Sequence, residues 1–116
     1  MINDYKDLRI WQSGIDLVKK IYSATKGFPE EEKFGLTSQM RRAAVSVPSN
    51  IAEGFKRQHK KEFKQFLNIC LGSLAEVETQ LIISKEQGFL SELTFNALEE
   101  NVDHLARMVV TLMKKI

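Results

Sequence analysis

Apolar residues recur every three or four positions along four long stretches of this chain, and this spacing is the strongest constraint on its fold. Glycine and proline are sparse, and no segment alternates apolar and polar residues as a half-buried strand would. Because the connections are short, the pattern predicts an all-α, antiparallel four-helix bundle that forms one domain over residues 1–116. The predicted helices are 7–26, 36–57, 60–87 and 92–114.

Several residues mark the ends of these helices. Thr37 or Ser38 is expected to cap the start of the second helix, and Ser91 that of the fourth, because a hydroxyl there can accept a free backbone amide. Gly88 follows the third helix and suits the left-handed conformation that commonly ends a helix.

The first helix carries two apolar lines. We expect the line Leu8, Trp11, Ile15, Val18 and Tyr22 to face the core. A second line lies about a third of a turn away, and the third helix also carries apolar residues off its main stripe. Because one bundle cannot hide all of these, they predict a homo-oligomer; a wide core face is the alternative. The expected interface residues are Ile10, Gly14, Leu17, Ile21, Ile69, Leu71, Ile82 and Ile83.

The stretch RRAAVSVPSNIAEGFKR (41–57) interrupts a helical pattern with Pro48. Proline removes an amide hydrogen, so we expect a kink or a new helix start there, with Ser46, Ser49 or Asn50 bonding the freed backbone groups. Glu53 and Arg57, four apart, can pair. A structural or interface role is favoured over a ligand site, since no group that would activate a serine accompanies the motif.

Catalytic machinery is not apparent. His59 and His104 are the only histidines, and neither has the spacing of a triad or, with Cys70, of a zinc site. Gly54 and Gly72 stand alone in helical patterns, so they predict close helix approach and not a phosphate loop. The expectation is a protein that is not an enzyme and needs no cofactor.

Charge is distributed unevenly. Residues 1–64 carry 13 Lys and Arg against 8 acidic residues, while 65–116 carry 4 against 7. If the run KRQHKKEFK (56–64) is helical, Arg57, Lys60, Lys61 and Lys64 gather on one side. Such a patch can bind a phosphate backbone without reading sequence; a solvated charged face is the alternative.

The single Cys70 lies at an apolar helical position, which fits a reducing compartment. The first residues lack the pattern of a signal peptide, and no run approaches the ~18 apolar residues that span a bilayer. We therefore expect a cytoplasmic protein that does not engage a membrane.

The segments DLRIWQ (7–12), FPEEEKFGLTSQMRRAAVSVPSNIAEGFKR (28–57) and KEFKQFLNICLGSLAEVETQL (61–81) resemble the bacterial family of 23S ribosomal-RNA intervening-sequence proteins. The resemblance implies a left-handed up-down four-helix bundle, homopentameric assembly, and kinship with the accessory proteins of diversity-generating retroelements, which bind nucleic acid. It implies no catalytic residue. The motif positions that it covers are Arg41, Arg42, Ser46, Pro48, Asn50, Glu53 and Gly54, and fold, oligomer contact and nucleic-acid contact all stay open for them.

The leading hypothesis is a non-enzymatic homo-oligomer that binds RNA or DNA backbone. A scaffold that recruits a protein partner such as a polymerase is the alternative. The residues expected to contact nucleic acid are Arg41, Arg42, Lys56, Arg57, Lys60, Lys61 and Lys64.

Overall fold

The computed structural model describes residues 2–116, which form four α-helices and no strand. Two short 3₁₀ turns, Tyr5–Asp7 and Glu30–Glu32, precede the first and second helices. The helices are α1 Arg9–Thr25, α2 Leu36–Lys56, α3 Lys60–Glu86 and α4 Glu92–Lys115. Every predicted helix is present, and every boundary lies within two residues of its predicted position.

Two of the predicted helix ends are confirmed and one is wrong. The Ser91 hydroxyl accepts the Thr94 amide at 3.1 Å, and Gly88 is left-handed with φ of 80°. Thr37 and Ser38 do not cap α2, because the helix already begins at Leu36. Glu32 supplies the acceptor instead: its carboxylate takes the Leu36 amide at 3.1 Å.

Contacts between the helices surround a single core. α2 packs against α1 and α3, and α4 packs against α3 and α1, in an elongated molecule of 44 × 24 × 20 Å. The Ser84 hydroxyl meets the Met40 sulfur at 3.3 Å, so the start of α2 lies beside the end of α3. At the other end of this pair, Gly54 of α2 lies against Phe66 of α3.

The assignment of the two lines on α1 is correct only in part. Ile10, Leu17 and Ile21 are at most 4% exposed and Gly14 is also buried, so the expectation that this line faces another subunit is wrong. A Cβ on Gly14 would lie 3.3 Å from the Cβ of Pro48, so the missing side chain lets α2 approach along this line. The other line is buried at Leu8 as predicted, half-buried at Trp11, Ile15 and Val18, and exposed at Tyr22.

The residues of α3 that were predicted to face outward differ in their exposure. Ile69, Ile82 and Ile83 are 44–52% exposed, as expected of residues off the core stripe. Leu71 is half-buried and packs against the core. The apolar face of α3 is therefore wider than one stripe, and part of it remains exposed on a single chain.

α3 is also long and apolar enough to cross a membrane by length and composition alone, contrary to the expectation that no segment approaches this threshold. A core helix of a globular protein passes the same test. Leu67, Cys70 and Val77 have no exposed surface, so one face of α3 contributes to the core.

Candidate nucleic-acid interface

A tight connection brings the basic residues of α2 and α3 to the same end of the molecule. α2 ends at Lys56, and Gln58 then adopts a left-handed conformation with φ of 63°. His59 is extended, and α3 starts immediately afterwards at Lys60. Lys56 and Lys60 are both exposed, so the short turn places cations from two helices side by side in solvent.

The end of α4 adds further cations that the sequence prediction missed. An open groove of about 510 Å³ is lined by Phe55, Lys60, Phe63 and Ile116, among others. Because Ile116 lines the same groove as Lys60, the preceding Lys114 and Lys115 belong to this end of the molecule. The antiparallel order predicted from the sequence already implies this position, although Lys114 and Lys115 were left out of the predicted contact residues. We call this set the basic end: Lys56, Arg57, Lys60, Lys61, Lys64, Lys114 and Lys115.

The cations of the basic end differ in how far they are already engaged. Arg57 pairs with Glu53 at 3.2 Å and with Glu62 at 3.7 Å, and its guanidinium lies 5.2 Å from the Phe66 ring centre. Within residues 2–116, none of the lysines in this set has a carboxylate within 4.0 Å. The lysines are therefore more available to an anion than Arg57.

Arg41 links α1 to α2. Its Nε donates to the Thr25 hydroxyl at 2.9 Å and its Nη2 to the Tyr22 carbonyl at 3.4 Å, while the guanidinium lies 4.5 Å from the Tyr22 ring centre. Arg42 is exposed. Fourteen helical residues separate Arg42 from Lys56, which corresponds to about 21 Å along α2. The structure therefore divides the predicted contact residues into two groups.

A second open groove, of about 650 Å³, surrounds the two arginines. We call it the Phe34 groove after its most exposed side chain, which is 89% accessible. Its remaining lining residues are Tyr22, Lys33, Thr37, Ser38, Arg41, Arg42, Val45 and Ser46. Within the described residues 2–116, no carboxylate lines it.

Pro48 lies inside α2 and does not start a new helix, so that part of the prediction is wrong. The Ser46 hydroxyl donates to the Ala43 carbonyl at 2.9 Å, and the Asn50 amide donates to the Ser46 carbonyl at 2.7 Å. Both side chains bond backbone near the proline, but the prediction that they bond the freed group is wrong for these two residues. Neither bond reaches the Ala44 carbonyl, whose helical partner the proline removes.

The other residues of the motif contact neighbouring helices. Ser46 also bonds the Ser73 hydroxyl of α3, and Gly54 is buried against α3. Glu53 is exposed and pairs with Arg57 as predicted. In the single chain these contacts join α2 to its neighbours.

Groups suited to acid–base or thiol chemistry are dispersed. His59 lines the groove of the basic end, while His104 lines a separate groove between α1 and α4. Burial raises the pKa of Cys70 to about 12. The pKa of Glu99 rises to about 7, because of hydrogen bonding to Glu78, burial, and repulsion from neighbouring carboxylates. The carboxyl pair was not anticipated from the sequence.

The fold and the site thus define an all-α protein of four helices with a cluster of cations at one end. The family model for the 23S rRNA-intervening sequence protein matches residues 6–111, and the chain belongs to this family.

The fold also recurs among solved structures. One is a protein with unknown function from the S23 ribosomal protein family from Bacteroides thetaiotaomicron. It shares 18% identity and a TM-score of 0.81, over 90% of this chain and 98% of that one. At this identity the likeness concerns the fold alone. Comparison with curated proteins gives no match.

Proposed function

We propose that the protein is a non-enzymatic homo-oligomer that binds the phosphate backbone of RNA or DNA through its basic end. The observation that carries this proposal is the convergence of exposed lysines from three segments, namely the end of α2, the start of α3 and the end of α4. Each lysine that approaches a phosphate releases condensed counterions, and a cluster of them adds up to appreciable affinity without reading sequence.

Membership of the family adds support for RNA. The family model carries the description 23S rRNA-intervening sequence protein, which associates its members with inserts in a ribosomal RNA. A cationic surface that binds the phosphate backbone would allow the protein to bind such an RNA. Because backbone contacts do not discriminate between bases, the proposal includes DNA as well as RNA.

Assembly belongs to the same proposal. We infer an antiparallel, left-handed up-down bundle that associates into a homo-oligomer, a pentamer by family resemblance. The contacts of Met40 with Ser84 and of Lys20 with Asn101 support the antiparallel arrangement. The exposed Ile69, Ile82 and Ile83 support association, because a second copy would shield them from water. Repeating the basic end around a ring would strengthen its field.

The test is the salt dependence of binding. Affinity for a labelled RNA and for a DNA duplex is measured by fluorescence anisotropy between about 50 and 200 mM salt, where backbone binding falls steeply. Reversing three lysines of the basic end to glutamate should weaken binding and lower the slope of log K against log salt by about 3. The variant is Lys60→Glu, Lys61→Glu and Lys64→Glu.

The matched control reverses three lysines elsewhere, with the same change of net charge: Lys19→Glu, Lys26→Glu and Lys85→Glu. Equal losses for the two variants would mean that only total charge matters, and no binding by the unmodified protein at low salt would refute the proposal. Light scattering with and without RNA reports the mass; a single-subunit species would refute the assembly.

A protein scaffold is the second candidate, favoured by the exposed isoleucines of α3. In this case a partner such as a polymerase subunit would cover Ile82 and Ile83. Co-purification of a protein after nuclease treatment, lost on substitution of both isoleucines by aspartate, would support it. Loss of oligomer mass in the same variant would assign these residues to self-association instead.

A further inference from the structure

Phe34 is exceptional among the seven phenylalanines of the chain. The others are buried or half-buried, whereas the Phe34 side chain is 89% exposed on the connection between α1 and α2. A single exposed apolar residue requires no explanation. Phe34, however, lines the same groove as Tyr22, so two aromatic side chains are present at one site on the surface.

Cations accompany both rings. The Lys33 ammonium lies 5.6 Å from the Phe34 ring centre, and the Arg41 guanidinium lies 4.5 Å from that of Tyr22. Arg42 supplies a third positive charge to the lining. Among residues 2–116, none that lines the groove carries a negative charge, although an acidic 3₁₀ turn directly precedes Lys33. The lining therefore combines flat apolar surfaces with three cationic side chains, and its complement is a flat apolar group attached to an anion.

We propose that the Phe34 groove binds an unpaired nucleotide of a single-stranded nucleic acid, with the base stacked on Phe34 and an adjacent phosphate beside Lys33 and Arg42. This inference rests on the proposed function and deepens it. The basic end would attract any polyanion, whereas the Phe34 groove would select strands whose bases are free. Stacking platforms combined with cations are how proteins bind single strands without base-specific hydrogen bonds.

The chemistry of the groove suits this occupant. The Arg41 side chain is held by its bonds to α1, so it presents a fixed charge, while Arg42 is free to move towards a phosphate. A paired base within a duplex would not expose a face to the Phe34 ring.

The test compares single-stranded and duplex ligands of equal length. Labelled oligo(U), oligo(dT) and a blunt duplex are titrated with the oligomeric protein by fluorescence anisotropy. In Phe34→Ala, the Kd for the single strands should rise by about 5- to 150-fold, with duplex affinity unchanged. Phe34→Trp should retain single-strand binding, because an aromatic face is restored. Leu93→Ala removes another highly exposed apolar side chain, at the start of α4, and should change nothing.

The outcomes separate this inference from the proposed function. Reversing the charges of Lys60, Lys61 and Lys64 should weaken the binding of single strands and of the duplex alike. If it does so while Phe34→Ala leaves single-strand binding intact, the inference is overturned and backbone binding stands. If Phe34→Ala weakens both ligands equally together with a loss of oligomer mass, Phe34 is a subunit contact, and the inference is again overturned. Because Phe34 is exposed, the variant should fold, which circular dichroism verifies.

Discussion

Gly54 of α2 lies so close to Phe66 of α3 that a Cβ at position 54 would come within 2.5 Å of the Phe66 Cβ. The same atom would lie 3.1 Å from the Phe63 ring. The Phe66 Cβ is attached directly to the backbone, so only a displacement of one helix would relieve the overlap. The close approach of α2 and α3 next to the basic end therefore depends on this glycine.

Gly54→Ala should accordingly destabilise the protein. We expect a decrease in the free energy of unfolding of about 1–3 kcal/mol, the usual cost of overpacking a core. Gly72→Ala is the matched control, because no atom lies within 4 Å of a Cβ at that position of α3. It should raise the stability by about 0.5–1 kcal/mol through helix propensity. Urea denaturation measures both, and shifts of the same sign would contradict the packing argument.

Substitutions of Arg41 and Arg42, which are adjacent in α2, should differ in their effect on the free energy of unfolding. Arg41→Ala removes the links to Thr25 and Tyr22 and should lower the free energy of unfolding by about 1–2 kcal/mol. Arg42→Ala changes an exposed side chain and should stay within about 0.5 kcal/mol of the unmodified protein. Thermal or urea melts provide the comparison. A larger loss in the Arg42 variant would show that the two roles are assigned the wrong way round.

The Cys70 thiol should be unreactive in the native protein. Burial holds its pKa near 12 against an ordinary value of 9.0, so almost no thiolate forms at pH 8. Disulfide-exchange reagents should label it only as fast as the protein unfolds, and at once in denaturant. Above pH 9 the unfolded chain loses this proton while the folded chain keeps it, so stability should fall with rising pH. Rapid labelling under native conditions would contradict the enclosed position.

Glu99 should make stability depend on pH in the opposite sense to most carboxylates. Its folded pKa of about 7 exceeds the ordinary 4.5, chiefly because of its hydrogen bond to Glu78. The folded state holds the proton more tightly, so this contribution is complete below pH 4.5 and is lost as pH rises through 7. Glu99→Gln should therefore show a smaller fall in melting temperature from pH 5 to pH 8 than the unmodified protein. Glu100→Gln, an exposed neighbour, is the control, and an equal effect there would contradict the pairing.

Local signals predicted the helices well. Each helix extends over several turns of consistent apolar spacing, and Gly88 and Ser91 mark ends by their own chemistry. The cap of α2 was missed because Glu32 bonds Leu36 from within a 3₁₀ turn, so the acceptor lies outside the usual position. Local pattern is informative where neighbouring residues decide the structure.

Tertiary packing decided the features that were missed. Both lines of α1 are apolar in sequence, and packing against α2, which includes the fit of Gly14 against Pro48, contributes to burying the second line. Phe34 resembles a core residue in sequence, and its exposure follows from the connection that carries it. The spacing of apolar residues within one segment does not specify which distant segments it contacts.

The two close contacts of α2 have a geometric consequence for any bound strand. Gly14 meets Pro48, and Gly54 meets Phe66, so α2 has little room to slide along its neighbours. If one strand occupies both proposed sites, the fixed distance of about 21 Å from Arg42 to Lys56 sets the minimum length of that strand. At about 3.4 Å per stacked nucleotide this corresponds to some six nucleotides. Shorter strands would contact only one of the two sites. The gain in affinity from occupying both sites would therefore appear only above this length.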